Sequence, residues 1–360
     1  MNIININRKK TRVVKIGNLR IGGEHPVSVQ SMTNCNIKDT KTTINQIKQL
    51  EDAGCDLVRI AIPDKESCHF IPTIKKHAHI PIMADIHFSY AIAIEAIKNN
   101  ADGIRINPGN IKKEDQIIDI IKAASKKNIL IRFGINAGSL DNKIMQKYNE
   151  PNFEPMVAQT KQLITFLEKV NYYNNIIISI KSSNVLDTIK ANQIISQITD
   201  YPLHIGITEA GFDRSGITKS AIGIGILLYE GIGDTIRVSL SGNPIQEVLV
   251  GHDILRSLGI RKRGINIISC PTCGRCKVNI HDIAKKVETS LRSIQQPLTI
   301  AIMGCIVNGP GEAKTADAGI AFNNEEAMLY RKGLLIGRFK LEDSIGKLIE
   351  ITNSICGKNT

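Results

Sequence analysis

The chain has 360 residues, 42% of them hydrophobic and 22% charged, with a mean hydropathy of −0.05. Such a chain can bury the cores of two domains, and no stretch of it approaches the roughly 18 apolar residues of a membrane span. Its net charge of +12 raises the question of nucleic acid, but the excess is spread along the chain, aromatic residues make up 4% with no Trp, and no basic block is interleaved with aromatics that would stack bases.

The opening MNIININRKK has neither the apolar block and cleavage site of a signal peptide nor the Arg- and Ser-rich character of a transit peptide, so the expected location is the cytoplasm. In a reducing compartment the eight cysteines do not read as a disulfide framework. Cys35, Cys55, Cys68 and Cys356 stand alone and read as small apolar residues. The other four cluster near the C-terminus.

From residue 27 onward, short β-rich runs recur at 27–33, 56–62, 80–86, 103–109, 129–135, 176–182, 203–210 and 234–240. Helical periodicity fills the gaps: Ile44, Ile47, Leu50 and Ala53 share one face, and Ala91, Ile94, Glu95 and Ile97 open another. Gly54, Gly103 and Gly233 stand before strands, where helix C-caps are expected. A repeating β–α order implies a parallel sheet, and eight units in this length suit a closed (β/α)8 TIM-type barrel. The rival, an open doubly wound sheet, normally carries a glycine-rich phosphate loop after an early strand, and none is present.

Catalytic groups of such a barrel lie at the C-terminal ends of its strands. Here those ends carry Gln30 and Ser31, Arg59, Asp85 and His87, Arg105, Asn107 and Asn110, Arg132 and Asn136, Lys181 and Ser183, Thr208 and Glu209, and Arg237, Ser239 and Ser241. A single arginine would read as a surface ion pair. Five cations, each near the C-terminal end of an apolar strand, need a partner, because charge is rarely buried alone. Guanidinium forks match phosphate oxygens, so the expected ligand is a small di- or polyphosphorylated molecule. Asp85, His87 and Glu209 are the proton-transfer candidates. His87 also reads as a hydrogen-bonded core histidine, and Glu209 as an ion-pair partner for a neighbouring arginine.

The first domain is expected over 1–260 and a second over 261–360, with the Arg261–Arg263 stretch and Gly264 as the join. A strand at 265–269 runs into CPTCGRC, followed by a helix at 281–294, a strand at 299–303 and the loop GCIVNGPGEA. Two short strands, around 319–322 and 333–338, and a last helix from Glu342 complete an α+β unit. Cys270, Cys273 and Cys276 have C-x₂-C-x₂-C spacing, with Cys305 farther on. Zinc and an iron–sulfur cluster both suit such soft ligands. A structural zinc site usually offers two paired knuckles. A lone Cys305 among Gly304, Gly309 and Gly311, whose amides can approach inorganic sulfide, points to the cluster instead.

QSMTN, MADIHF, GIRINPGN, ISIKSSN, ISCPTCGR and MGCIVNGPGEA closely resemble the 4-hydroxy-3-methylbut-2-enyl diphosphate synthases of the non-mevalonate isoprenoid pathway. The resemblance runs from about Arg12 to the last helix and is to the bacterial two-domain form, without the additional domain of the plant form. It implies a TIM-type barrel followed by a cluster domain, and a [4Fe–4S] cluster held by Cys270, Cys273, Cys305 and Glu312. Cys276 departs from the family pattern, which requires no cysteine there. The implied reaction is reductive ring opening of 2-C-methyl-D-erythritol 2,4-cyclodiphosphate with loss of water, using two electrons delivered singly by reduced flavodoxin or ferredoxin. Arg59, Arg105, Arg132, Asn136, Lys181, Ser183, Arg237 and Ser239 would clamp the cyclic diphosphate, and His87 or Glu209 would supply a proton, with Asp85 orienting His87. Similar enzymes are homodimers in which one subunit's cluster domain caps the other's barrel.

Overall fold

A computed structural model describes residues 6–87, 89–111, 113–148, 152–170, 174–276, 278–307, 309–323 and 326–357. The chain divides into two compact units, Met1–Arg261 and Lys262–Thr360.

The first unit opens with an antiparallel hairpin, β1 (Val14–Ile16) and β2 (Leu19–Ile21), turned through Gly17 at φ +55°. Three-residue strands are too short to declare themselves by alternation, and the sequence gives no warning of them. Val14, Ile16 and Ile21 pack with Leu57, Met83, Leu130 and Ile177, inward residues at the N-terminal ends of later strands. The hairpin therefore seals that end.

Eight parallel strands follow: β3 (Ser28–Met32), β4 (Leu57–Ala61), β5 (Ile82–Ile86), β6 (Gly103–Ile106), β7 (Leu130–Asn136), β8 (Ile176–Lys181), β9 (His204–Ile205) and β10 (Thr235–Ile236). They pair in the order β8-β7-β6-β5-β4-β3-β10-β9. A parallel bridge between Ile178 and Leu203, with Thr208 N donating to Ser182 O at 3.2 Å, brings the two ends together as a TIM-type barrel. Around it run α1 (Thr40–Ala53), α2 (Ile71–Lys75), α3 (Tyr90–Lys98), α4 (Glu114–Lys127), α5 (Asn142–Met145), α6 (Phe153–Val170), α7 (Val185–Ile198), α8 (Asp213–Tyr229) and α9 (Pro244–Ser257). Val29, Ile60, Ile104, Ile131, Phe133, Ile178 and Ile205 turn outward into the core beneath these helices.

Several elements differ from expectation. The run 103–109 stops at Ile106, because Asn107 accepts from Gly109 N at 3.0 Å and winds Pro108–Asn110 into a 3-10 turn. The runs 203–210 and 234–240 shorten to two-residue β9 and β10. The chain at Gly206 approaches that of Arg237 so closely that a Cβ would lie 2.3 Å from Arg237 O, which breaks regular pairing there. Helix α3 buries Ala93, Ala96 and Ile97, a face rotated from the expected one, and leaves Ala91 exposed. Gly54 does cap α1, at φ +97°. Gly103 instead begins β6, where a Cβ would stand 2.7 Å from Ile16 Cδ1, and Gly231 rather than Gly233 follows the C-cap of α8. Arg261 is not free linker: it donates to Asp56 Oδ1 at 2.9 Å and to Val27 O at 3.3 Å, both in the first unit.

The second unit runs β11 (Ile265–Ser269), α10 (Ile280–Leu291), β12 (Leu298–Met303), α11 (Gly309–Thr315), β13 (Ala318–Phe322), β14 (Glu326–Arg331), β15 (Leu334–Lys340) and α12 (Leu341–Ile355). Its sheet has the order β11-β12-β13-β14-β15, parallel across the first three strands and antiparallel across the rest. Three strands stand where two were expected, β14 being the addition. The second half of GCIVNGPGEA is helix α11, not loop. Pro310 at its start is compatible with a helical first turn, and Gly319 lets the helix lie on the sheet, since a Cβ there would be 2.7 Å from Ala313 Cβ. Val287, Leu291, Ile300, Ile302, Ile320, Leu329 and Leu348 form the core.

Candidate active site

Strand alternation aims one residue in two into the barrel. The apolar bottom layer is followed by a charged one, where most barrels stay apolar. Asp85, Arg105 and Arg132 are successive cross-strand partners on β5, β6 and β7, and Arg59 stands one strand before them. Asp85, 1% exposed, holds Arg59 Nε at 3.5 Å, Arg105 Nη1 at 3.5 Å and His87 Nε2 at 3.1 Å. Burial alone would raise this carboxyl, but Arg59, the His87 hydrogen bond and Arg105 hold it well below the ordinary carboxylate range. Burial in turn lowers Arg59 to about 10, against the pull of Asp85 and with the push of Arg237 and Arg105.

Arg132 is 1% exposed and donates through Nη1 to Gln30 Oε1, while its Nε has no partner among the described residues. Burial, then repulsion by Arg59 and Arg105, lowers it well below the ordinary arginine value. Lys181 ends β8 with Nζ 3.0 Å from Nε2 of His204, which is fully buried and reaches Thr235 Oγ1 at 3.4 Å through Nδ1. Burial and the nearby cations lower both groups well below their ordinary values. Two glycines make the room: a Cβ at Gly134 would sit 2.6 Å from Arg105 Nε, and one at Gly206 would sit 2.9 Å from Lys181 Nζ. With its amide turned to suit its neighbours, Asn136 accepts from Arg105 Nη2 at 3.2 Å.

Arg237, just past β10, is gripped from outside the ring. Glu247, 2% exposed in the first turn of α9, accepts from its Nε and Nη2, each at 3.1 Å. The same carboxylate accepts from Ser31 Oγ at 2.9 Å and Leu240 N at 3.1 Å. Glu247 is absent from the expected site. On sequence it is one more acidic residue in a helix's first turn, where the dipole favours acids anyway. Among the described residues the ion pairs of these arginines go to Asp85 and Glu247, not to Glu209.

The remaining predicted residues lie at the rim. His87 is half exposed and touches Asp85 and Arg105, Ser239 is partly buried, and Ser183 is exposed. Glu209 is exposed with a left-handed backbone, φ +51°, which a non-glycine residue adopts only at a cost. Five cations thus share the interior with two carboxylates. The surplus is what a bound polyanion would neutralise.

In the second unit the thiols gather at the C-terminal ends of β11 and β12. Cys270 Sγ accepts from Gly304 N at 3.1 Å, and a Cβ on Gly304 would lie 2.3 Å from Cys276 Sγ, so no larger residue fits before Cys305. Cys276 donates to Val278 O at 3.1 Å, and Cys273 is exposed in the turn closed by Cys276 N and Cys273 O. Glu312 is exposed on α11. Among the described residues no three His, Cys, Asp or Glu groups already stand at metal-holding distances. The donor set fits an iron–sulfur cluster all the same: soft thiols beside a backbone amide already pointed at sulfur. Cys55 and Cys68 differ, with thiols pushed by burial up to about 12 and about 11. No helix among the described residues is long and apolar enough to cross a membrane.

Fold and site define a two-unit TIM-barrel protein with a cation-lined mouth and a separate thiol-bearing α+β domain. The chain belongs to the GcpE family: the GcpE TIM-barrel domain matches residues 11–252 and the GcpE protein C-terminal domain matches 266–354. A relative from Caldanaerobacter subterraneus subsp. tengcongensis, named 4-hydroxy-3-methylbut-2-en-1-yl diphosphate synthase (flavodoxin), is 51% identical over 343 residues, covering 95% of this chain and 96% of that one. One of the same name from Clostridium perfringens is 49% identical over 350 residues, covering 97% and 100%.

Glu247→Ala should strand a largely buried Arg237 and cost about 3 kcal/mol in chemical denaturation. The double change Arg237→Met with Glu247→Leu should restore most of that stability. A loss under about 1 kcal/mol, or no recovery in the double variant, would contradict the pairing.

Proposed function

We propose that this chain carries out the reductive ring opening of 2-C-methyl-D-erythritol 2,4-cyclodiphosphate, with loss of water, to (E)-4-hydroxy-3-methylbut-2-enyl diphosphate, a precursor of isoprenoids. The observation that carries this reading is the barrel interior, where five cations face two carboxylates. A cyclic diphosphate brings two negative charges and a set of oxygens for guanidinium forks. Arg105, Arg132 and Lys181 take the deeper phosphate, and Arg59 and Arg237 the other. Asn136, Ser183 and Ser239 add hydrogen bonds at the rim. Asp85 and Glu247 hold the arginines in place rather than compete for the ligand, so the clamp costs little to organise when substrate arrives.

Cys270, Cys273, Cys305 and Glu312 would hold a [4Fe–4S] cluster, which would supply electrons one at a time, and the carboxylate of Glu312 would be displaced more readily than a thiolate. Cys276, engaged with Val278 O, stays outside that set. The departing hydroxyl needs a proton, and the two candidates for supplying it are His87 and Glu209. His87 is held by Asp85 with half its side chain in the open, and Glu209 is exposed beyond the end of β9. Reduced flavodoxin is the favoured electron donor, from the relatives' name, with ferredoxin as the alternative. The working form is a cytoplasmic homodimer, in which the cluster domain of one copy closes the barrel of the other.

Protein reconstituted with iron and sulfide under anaerobic conditions should turn over the cyclic diphosphate with a chemical reductant. Cys270→Ser and Glu312→Ala should lose turnover and cluster absorbance at about 400 nm, while Cys276→Ser keeps both. No product from fully reconstituted protein would sink the proposed reaction. Retention by Glu312→Ala with loss by Cys276→Ser would reassign the fourth ligand. Mixing Cys270→Ser with Arg132→Met should regain activity through hybrid dimers, and no regain would remove the exchange of domains.

A further inference from the structure

Clamping an anion requires positive charge, yet the environment of Lys181 works against its holding one. Its Nζ lies 3.0 Å from His204 Nε2, and among the described residues no carboxylate pairs with it. The residue is 7% exposed, and the charged groups that bear on it most are cationic: Arg132 on β7, Arg105 on β6, Arg59 on β4 and Arg237 beyond β10, while Asp85 and Glu247 are tied to those arginines. His204 on β9 cannot compensate, being fully buried and itself biased to the neutral form by the same cations. Gly206 lets Nζ lie against the backbone, since a Cβ there would come within 2.9 Å of it. An amine that is desolvated, ringed by cations and given a neutral imidazole has the setting of a lysine nucleophile rather than that of a salt-bridge partner.

We propose that in the anion-free protein Lys181 is a carbonyl-reactive amine, and that the barrel captures small phosphorylated aldehydes as imines at this residue. The phosphate lodges among the arginines while the aldehyde carbon meets Nζ. The nitrogen lone pair forms the C–N bond and the carbonyl π pair moves to oxygen, which takes the proton that nitrogen gives up, with His204 Nε2 placed to relay it. The second N–H proton then passes to that hydroxyl, which leaves as water while the nitrogen pair forms the C=N bond. The sum is amine plus aldehyde to imine plus water, with no change of oxidation state and no co-reactant. The capture goes beyond ring opening and does not depend on which diphosphate the barrel turns over. A dianion that fills the arginine clamp competes for the same space and returns Lys181 to its ammonium form, so clamp and nucleophile are alternative states of one side chain.

The test is trapping with glycolaldehyde phosphate and sodium borohydride on the full-length protein near pH 7.5, followed by peptide mapping. Borohydride delivers hydride to the imine carbon and fixes it as a secondary amine. Lys181 should be labelled at least ~10-fold faster than surface lysines, whose ordinary pKa near 10.4 keeps them protonated at this pH. Inorganic pyrophosphate should suppress labelling of Lys181 alone. Lys181→Arg should abolish the site-specific label, with circular dichroism confirming a folded chain. His204→Asn should slow it without changing its position. Labelling spread over surface lysines with Lys181 untouched would overturn the proposal. So would labelling of Lys181 that rises only above about pH 10, as for an ordinary lysine.

Discussion

Confining like charges inside a ring of β-strands sets the terms for the first unit. Arg59, Arg105, Arg132, Lys181 and Arg237 share an interior where Asp85 is the inward carboxylate and Glu247 reaches in from α9. Much of the surrounding detail serves to make that tolerable. Gln30 accepts a hydrogen bond from Arg132, Asn136 and Gly134 accommodate Arg105, and His204 meets Lys181 as a neutral partner. The hairpin at the N-terminal end closes the barrel with an apolar layer, so the charged layer can meet a ligand only from the C-terminal end. That is the end at which barrel enzymes act. Among the described residues the Nε of Arg132 has no partner, and burial and like charge lower Arg132 and Lys181, as expected of an interior that an anion would complete.

What the sequence disclosed follows from how local each signal is. Eight β–α repeats and the placing of cations at strand ends are written in runs of a few residues, and period-two alternation is enough to turn Arg105 and Asn107, or Asp85 and His87, to one face. Glu247 could not be found this way. Its meaning lies in contacts with Ser31 and Arg237, the first 216 positions away in the chain, and a helix's first turn is an ordinary place for a glutamate. Gln30 was read as a polar strand-end residue, but its grip on Arg132 spans 102 positions and leaves no local trace. The truncation of β9 and β10 came from the close approach at Gly206, a tertiary event. Helix α11 was hidden for the opposite reason, because Gly309, Pro310 and Gly311 announce a loop locally while the sheet beneath accepts a helix.

The cysteine domain shows the same division. The spacing of Cys270, Cys273 and Cys276 is legible, and the fold adds that Cys270 and Cys276 both close on Gly304, immediately before Cys305. This gives Gly304 a steric reason that spacing alone could not supply. It also gives Cys276 a role in packing the turn, a physical ground for a thiol there whether or not it ever meets iron.

The central claim, that an anion completes a barrel overloaded with positive charge, is tested most directly by the protons that accompany binding. Lys181 and His204 have lowered proton affinity in the free protein, and a nearby dianion moves both back toward their ordinary values. Calorimetric titration of the cyclic diphosphate at neutral pH, in two buffers of different ionisation enthalpy, should therefore show net proton uptake and an affinity that falls as pH rises, with the uptake reduced in Lys181→Met. Proton-neutral binding of unchanged strength in that variant, or no binding at all, would contradict the account.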